Sequence, residues 1–358
     1  MSSVKNILSF VALFAGVKTA YAGLDSPGHN NVAIYWGQNS LNQGNGTQAQ
    51  QRLSYYCESK ITGADVDVIP LAFVISIKGP GGVPQINFSN QGDPCKPFPG
   101  TDLLHCPQIG EDIKTCQKKG KTILLSIGGA TYSEGGFRSA EDAAAGANLL
   151  WDTFGPVKSS NSSVLRPFDD AVIDGFDLDF EGTVLNLVPF AKQLRTLYDA
   201  EKSKTFYLTA APQCPYPDLY NKEVLEGGVK FDALFIQFYN NFCGLNNFVL
   251  GSQSQDKFNF AEWDNFAKKV SANPNVKIMV GAPANKGAAS SGYVDAQTLV
   301  SVINWSKTFS SFGGVMMWDA SQAWANGNFT SAVKGALSAG NSRVVRMSSA
   351  GYRSRYWN

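Results

Sequence analysis

The sequence predicts a single-domain α/β fold, a (β/α)₈ barrel, and three observations lead there. Eight short segments rich in Val, Ile, Leu and Phe recur at residues 32–36, 66–76, 122–129, 172–181, 206–212, 233–240, 276–283 and 313–320. Their length and near-continuous apolar character suit parallel strands buried on both faces. Amphipathic stretches at 48–59, 109–119, 188–201, 263–272 and 296–309 alternate with them, as crossover helices would. An open doubly wound sheet is the rival. It would usually offer a phosphate-binding glycine loop after its first strand, and Gly37-Gln38-Asn39 does not supply that pattern.

Residues 174–181 carry the strongest chemical signal: Asp-Gly-Phe-Asp-Leu-Asp-Phe-Glu. On a strand, side chains alternate faces, so Asp177, Asp179 and Glu181 share one face while Phe176, Leu178 and Phe180 share the other. Acids spaced about 6–7 Å apart disfavour one another's charged form. That costs stability, and it provides what general acid catalysis needs, a carboxyl kept protonated beside others that stay ionised. Calcium sites draw their oxygens mainly from flexible loops, so the cluster fits catalysis better than a cation. Glu181 is expected as the last residue of the fourth strand, at the face where barrel active sites form. Tyr35, Gln38, Tyr132, Gln213, Gln237, Tyr239, Asn240, Trp318 and Asp319 stand at matching strand ends and would complete one rim.

Composition bounds the rest. The net charge is +1 over 358 residues, which gives no reason to expect a nucleic-acid partner, and no later apolar run is long enough to span a membrane. Lys5, the apolar run 7–17 and Ala20-Tyr21-Ala22 have the layout of a cleaved secretory leader over residues 1–22, so a secreted protein, extracellular or held in a cell wall, is expected. Six cysteines and five Asn-X-Ser/Thr sequons, at Asn45, Asn87, Asn161, Asn304 and Asn328, agree with an oxidising, glycosylating route. Spacing favours only the local pair Cys95–Cys106 and leaves the other pairings open. No Cys-x-x-Cys pair exists and only His29 and His105 are available, so a metal site is not expected. The Gly- and Pro-rich segment 78–106 reads as an excursion over the second strand. A domain over 23–335 is followed by a tail, 336–358, with Arg343, Arg346, Arg353 and Arg355 and no acid.

The ordered motifs resemble the family 18 glycoside hydrolases, in particular the secreted plant-type (class III) chitinases of fungi. They are Ala33-Ile34-Tyr35-Trp36-Gly37-Gln38-Asn39, Leu125-Ser126-Ile127-Gly128-Gly129, the acid motif, Ala211-Pro212-Gln213-Cys214-Pro215, Gln237-Phe238-Tyr239-Asn240-Asn241 and Gly314-Val315-Met316-Met317-Trp318. The likeness covers residues 29–335. It implies an endochitinase that needs no cofactor and cuts β-1,4 bonds between N-acetylglucosamine units with retention, through an oxazolinium formed by the substrate's own acetamido group. It casts Glu181 as general acid and base, Asp179 as the group orienting the acetamide, Asp177 as its charge-sharing partner, and Tyr239 as donor to the acetyl oxygen. Trp318 would floor the cleaved sugar, with Tyr35, Gln38, Gln237 and Asn240 around it. It further implies disulfides Cys57–Cys116, Cys95–Cys106 and Cys214–Cys243, and a monomer whose partner is chitin and its oligosaccharides. Phe180 stands where an aliphatic residue is common and would change packing alone. Rivals keep the same barrel: a lectin or hydrolase inhibitor, for which Glu181 is the discriminating residue, and an endoglycosidase cutting the core of N-glycans. A wall protein held by glycans and its basic tail would not need the acid face.

Overall fold

The computed structural model describes residues 23–24, 28–42, 46–58, 65–157 and 163–339. The leader 1–22, the tail beyond 339 and the sequons Asn45 and Asn161 lie outside them.

Eight parallel strands close into a barrel: β1 Asn31–Ile34, β2 Val68–Ser76, β3 Thr122–Gly128, β4 Gly175–Asp179, β5 Tyr207–Ala210, β6 Ala233–Gln237, β7 Lys277–Pro283 and β8 Phe312–Trp318. Each pairs with its neighbour in sequence, and β1 closes the ring between β8 (Asn31 opposite Gly314) and β2 (Ala33 opposite Val68). The helices are α1 Leu53–Tyr56, α2 Pro107–Lys118, α3 Ala140–Phe154, α4 Leu187–Ala200, α5 Lys222–Glu226, α6 Phe260–Lys269, α7 Ala296–Ser306, α8 Ala320–Ala325 and α9 Phe329–Ser338. Their starts follow local chemistry. Pro107 opens α2, while Ser139, Asp295 and Asp319 cap α3, α7 and α8 by accepting the backbone N–H of Asp142, Thr298 and Gln322.

Alternation along the strands divides the apolar residues into two cores. Ala33, Tyr35, Val68, Ala72, Phe235, Tyr239, Met279 and Met316 fill the barrel, and the other face of each strand packs under the helices. Three disulfides, Cys57–Cys116, Cys95–Cys106 and Cys214–Cys243, use all six cysteines. The first ties the chain just after α1 to α2, and the last joins the loops after β5 and β6. Among the described residues no helix is long and apolar enough to cross a membrane.

Several boundaries differ from those expected, and three of the differences have a clear physical cause. The helix expected over 48–59 shrinks to α1, because Gln50 pins the preceding chain in an irregular path: its side-chain oxygen accepts from Gly37 N (2.7 Å) and Asn39 N (3.1 Å). The fourth strand ends at Asp179, so Glu181 stands two residues beyond it. The Asp179 carbonyl still accepts a ladder bond from Gly129 N (2.7 Å), but that of Phe180 accepts from the side chain of Asn221 (Nδ2, 3.0 Å), which takes the chain out of the ladder. Helix α9 passes Gly335 and takes in three residues of the expected tail, because Ala336 and Leu337 are buried.

Candidate active site

The β4 backbone sends Asp177 and Asp179 into the barrel, with Asp177 deeper. Asp177 is fully buried and saturated by hydroxyl donors: Tyr35 Oη and Ser126 Oγ reach Oδ2, and Thr209 Oγ1 reaches Oδ1, each at 2.6 Å. These donors come from β3, β5 and the residue just after β1, so one carboxyl bonds across the barrel. Burial pushes Asp177 above the usual carboxylate range, and the three hydroxyl bonds oppose that rise.

Asp179 is held differently. Gln237 Nε2 donates to its Oδ1 at 2.9 Å and also to the carbonyl of Ala211 at 2.8 Å. Burial pushes Asp179 well above its ordinary value, and the charges of Glu181, Asp177 and Asp218 add to the rise. Glu181 is half-buried, and burial raises it too. Among the described residues no side chain or backbone group hydrogen-bonds the Glu181 carboxyl, which leaves a proton there free for transfer to a ligand. Tyr239 is 8% exposed and raised by burial first, then by Asp179, Glu181 and Asp177, so its hydroxyl stays a donor near the acids. The row therefore grades from saturated to singly bonded to open.

Glycines let the strands approach. Gly128 has φ +120°, and a Cβ there would lie 2.3 Å from the carbonyl oxygen of Asp179. The Ser126-Ile127-Gly128-Gly129 motif thus supplies a donor to Asp177, close passage of β3 past β4, and the N–H of the last ladder bond to β4.

Trp318, half-buried at the end of β8, stacks on Phe73 with ring centroids 6.0 Å apart and 20° between planes. Both rings adjoin Tyr35, at 5.6 Å and 6.4 Å. Around this floor several expected rim residues have other duties. Tyr35, expected beside the ligand, is 1% exposed and gives its hydroxyl to Asp177, bracing the row from beneath. Gln38 Nε2 donates to the carbonyls of Ala72 (2.9 Å) and Asn87 (3.1 Å), strapping the loop after β1 to β2. Asn240 Oδ1 accepts from Ser290 N (2.9 Å) and Ser291 N (3.1 Å), fixing the loop after β7. Asp319 caps α8 and accepts from Ser40 N (3.0 Å). Gln213 accepts from Asn241 Nδ2 (2.9 Å), joining the loops after β5 and β6. Tyr132 packs edge-on against Phe180, 5.0 Å between centroids, and donates to Glu134 at 3.0 Å.

A model of the family described as Glycosyl hydrolases family 18 matches residues 31–292, which include the whole acid row and Tyr239. The chain belongs to that family. A relative named Class III chitinase, from Arthroderma benhamiae, is 89% identical over 356 residues, covering 99% of this chain and all of its own length. This family 18 member is therefore a glycoside hydrolase. Among solved structures, the ICChI chitinase from Ipomoea carnea has a TM-score of 0.66 at 28% identity, covering 86% of this chain and 99% of its own. A xylanase and alpha-amylase inhibitor protein from Scadoxus multiflorus has the same score, identity and coverage. The barrel alone thus does not separate hydrolases from binding proteins, which returns the question to the acid row.

Some contributors to this candidate site carried no clear sequence signal. Phe73 is one: β2 shifts register between Ala72 and Val74, so Phe73 joins Ala72 in the barrel core instead of alternating away. Thr209 could have been found, since alternation on β5 places it on the inward face. Asp218 and Asn221 lie in the loop after β5. The buried Asp218 carboxyl accepts from the backbone of Gln213, Tyr220 and Asn221 (2.9, 2.9 and 2.6 Å) and from Asn221 Nδ2 (3.0 Å). Asn221 in turn grips the carbonyl just before Glu181.

Proposed function

We propose that this enzyme is a secreted endochitinase that hydrolyses β-1,4 bonds between N-acetylglucosamine units with net retention. One observation carries the reading: the graded row in which Asp177 takes three hydroxyl bonds, Asp179 is held by one amide, and Glu181 has no hydrogen-bond partner among the described residues. In this mechanism the raised Glu181 carboxyl donates its proton to the glycosidic oxygen as the bond breaks. The acetamido oxygen of the sugar attacks the anomeric carbon from the opposite face, giving an oxazolinium. Asp179 accepts the acetamido N–H and offsets the positive charge that develops, with Asp177 sharing the load. Tyr239 donates to the acetyl oxygen and holds it in line. The Glu181 carboxylate then takes a proton from water, which opens the oxazolinium and restores the original configuration. Trp318, backed by Phe73, offers a flat apolar face to the sugar ring. No metal or organic cofactor enters this scheme, and the protein works as a monomer after removal of residues 1–22.

The test is cleavage of soluble chitin oligomers by the secreted protein, with product anomers followed by proton NMR. Wild type should release β-anomers first, and Glu181→Gln should lose nearly all rate while still binding. A protein that binds oligomers and never cuts them would make this a lectin. α-Anomers would leave chitin as substrate and remove the oxazolinium. Cleavage of glycoproteins in place of chitin oligomers would assign the N-glycan endoglycosidase reading.

A further inference from the structure

The loop between β6 and α6 begins at the catalytic face beside Tyr239. From 239 to 255 it reads Tyr-Asn-Asn-Phe-Cys-Gly-Leu-Asn-Asn-Phe-Val-Leu-Gly-Ser-Gln-Ser-Gln, without a charged residue, in a chain that is 16% charged. Phe242, Val249 and Leu250 stand out from it, 67%, 56% and 61% exposed. Leu219, on the adjoining loop after β5, is 82% exposed.

Exposed apolar side chains on a floppy loop mean little, but this loop is fixed at several points. Cys243, next to Phe242, is disulfide-bonded to Cys214. Asn247 Nδ2 donates to the carbonyl of Phe242 at 2.9 Å. Gln255 clamps Val249 from both sides, accepting its N–H at 2.7 Å and donating to its carbonyl at 2.8 Å. Phe248 is anchored inward, edge-on to Phe258 at 5.6 Å. Leu219 is held just as firmly, since it follows Asp218 and precedes Tyr220, whose backbone N–H that carboxyl accepts. Ordering large apolar groups in water costs free energy with no return inside the molecule, so the return lies in a ligand.

We propose that this uncharged platform, centred on Phe242 and Leu250, binds polymeric chitin outside the cleavage centre. The proposal rests on the chitinase reading. Pyranose rings present apolar faces, which suit Phe242, Leu250 and Leu219, and the acetamido and hydroxyl groups between them suit the Asn and Gln amides. A neutral polysaccharide gains nothing from charge, which accounts for the absence of Lys, Arg, Asp and Glu from residues 239–255; Asp256 and Lys257 follow where the loop turns back toward α6. Continuity with Tyr239 places the platform where a chain longer than the cleavage centre continues.

The experiment compares wild type, Phe242→Ser/Leu250→Ser and Phe242→Tyr in two assays: retention on insoluble chitin, and kcat/KM on a soluble chitin trimer. The double variant should bind the polymer about tenfold more weakly, while trimer cleavage changes by less than about twofold. Phe242→Tyr, which keeps the ring, should bind as wild type does. Equal retention by all three overturns the proposal. So does a wild type that sediments as a dimer and a double variant that sediments as a monomer with unchanged retention, because the surface then covers a second copy. If no trimer is cut and the double variant still loses retention, the chitinase reading falls and the platform stands.

Discussion

Gln237 bridges Asp179 and the carbonyl of Ala211 with a single side-chain nitrogen, at 2.9 Å and 2.8 Å. The second contact fixes the first, because an amide anchored on backbone cannot follow the carboxyl if it rotates. Asp179 is therefore oriented by β6 and by the residue after β5, without a charged partner that would hold it ionised.

Replacing Gln237 by Ala removes that anchor and leaves a buried carboxyl with no donor among the described residues. We expect kcat on chitin oligomers to fall about a hundredfold, with KM changing far less, since binding contacts to distant sugars persist. Steady-state kinetics on a tetramer checks this. An unchanged kcat would show that Asp179 needs no fixed orientation.

The acid row makes stability depend on pH with an unusual sign. Asp177, Asp179 and Glu181 are all raised above the usual carboxylate value of about 4. Between that value and the raised ones the folded chain holds more protons than the unfolded chain, so stability is lost as pH rises through the window. Asp179→Asn carries no such group at this position. Urea midpoints should show the variant gaining on wild type as pH climbs from about 4 upward. A constant difference across that range would mean that the row does not titrate as its burial implies.

Asn221→Ala takes the donor from the carbonyl of Phe180 and frees the residue before Glu181. Stability should fall by about 1–3 kcal/mol, the cost of one unsatisfied buried carbonyl, and kcat should fall about tenfold. Asn273 donates to the carbonyl of Phe231 at 2.7 Å, ahead of the N-terminal end of β6. Asn273→Ala should thus lose similar stability and keep its kcat. Equal kcat in both variants would make Asn221 a loop brace alone.

Gly128→Ala places a methyl group 2.3 Å from the carbonyl of Asp179, at a φ that side chains rarely adopt. The strands must part or the backbone must turn, at a cost of about 2–3 kcal/mol. Thermal melting reads the loss. A variant as stable as wild type would mean that β3 and β4 are not in tight register at this point.

The barrel and its acid face were legible because both rest on local periodicity, apolar runs of strand length and carboxyls at alternate positions. What escaped was set by contacts between distant residues. The end of β4 depends on the Asn221 side chain taking the Phe180 carbonyl, and nothing within 174–181 signals it. Gln38 and Asn240 carry amides at the rim, and sequence could not tell that Gln38 Nε2 and Asn240 Oδ1 already bond the backbone of neighbouring segments. Phe73 was hidden by a register shift that breaks the alternation used to place every other inward residue.

The hydroxyl bonds to Asp177 have a consequence for how the enzyme matures. Its three donors belong to β3, β5 and the residue just after β1, and slipping any of those strands by one residue turns the donor to the opposite side of the sheet. A chain that collapses with one strand out of step leaves a buried carboxyl partly unsolvated, and with it a row that no longer grades toward an open acid. On the proposed mechanism, correct strand register and a working acid row are therefore one condition, not two.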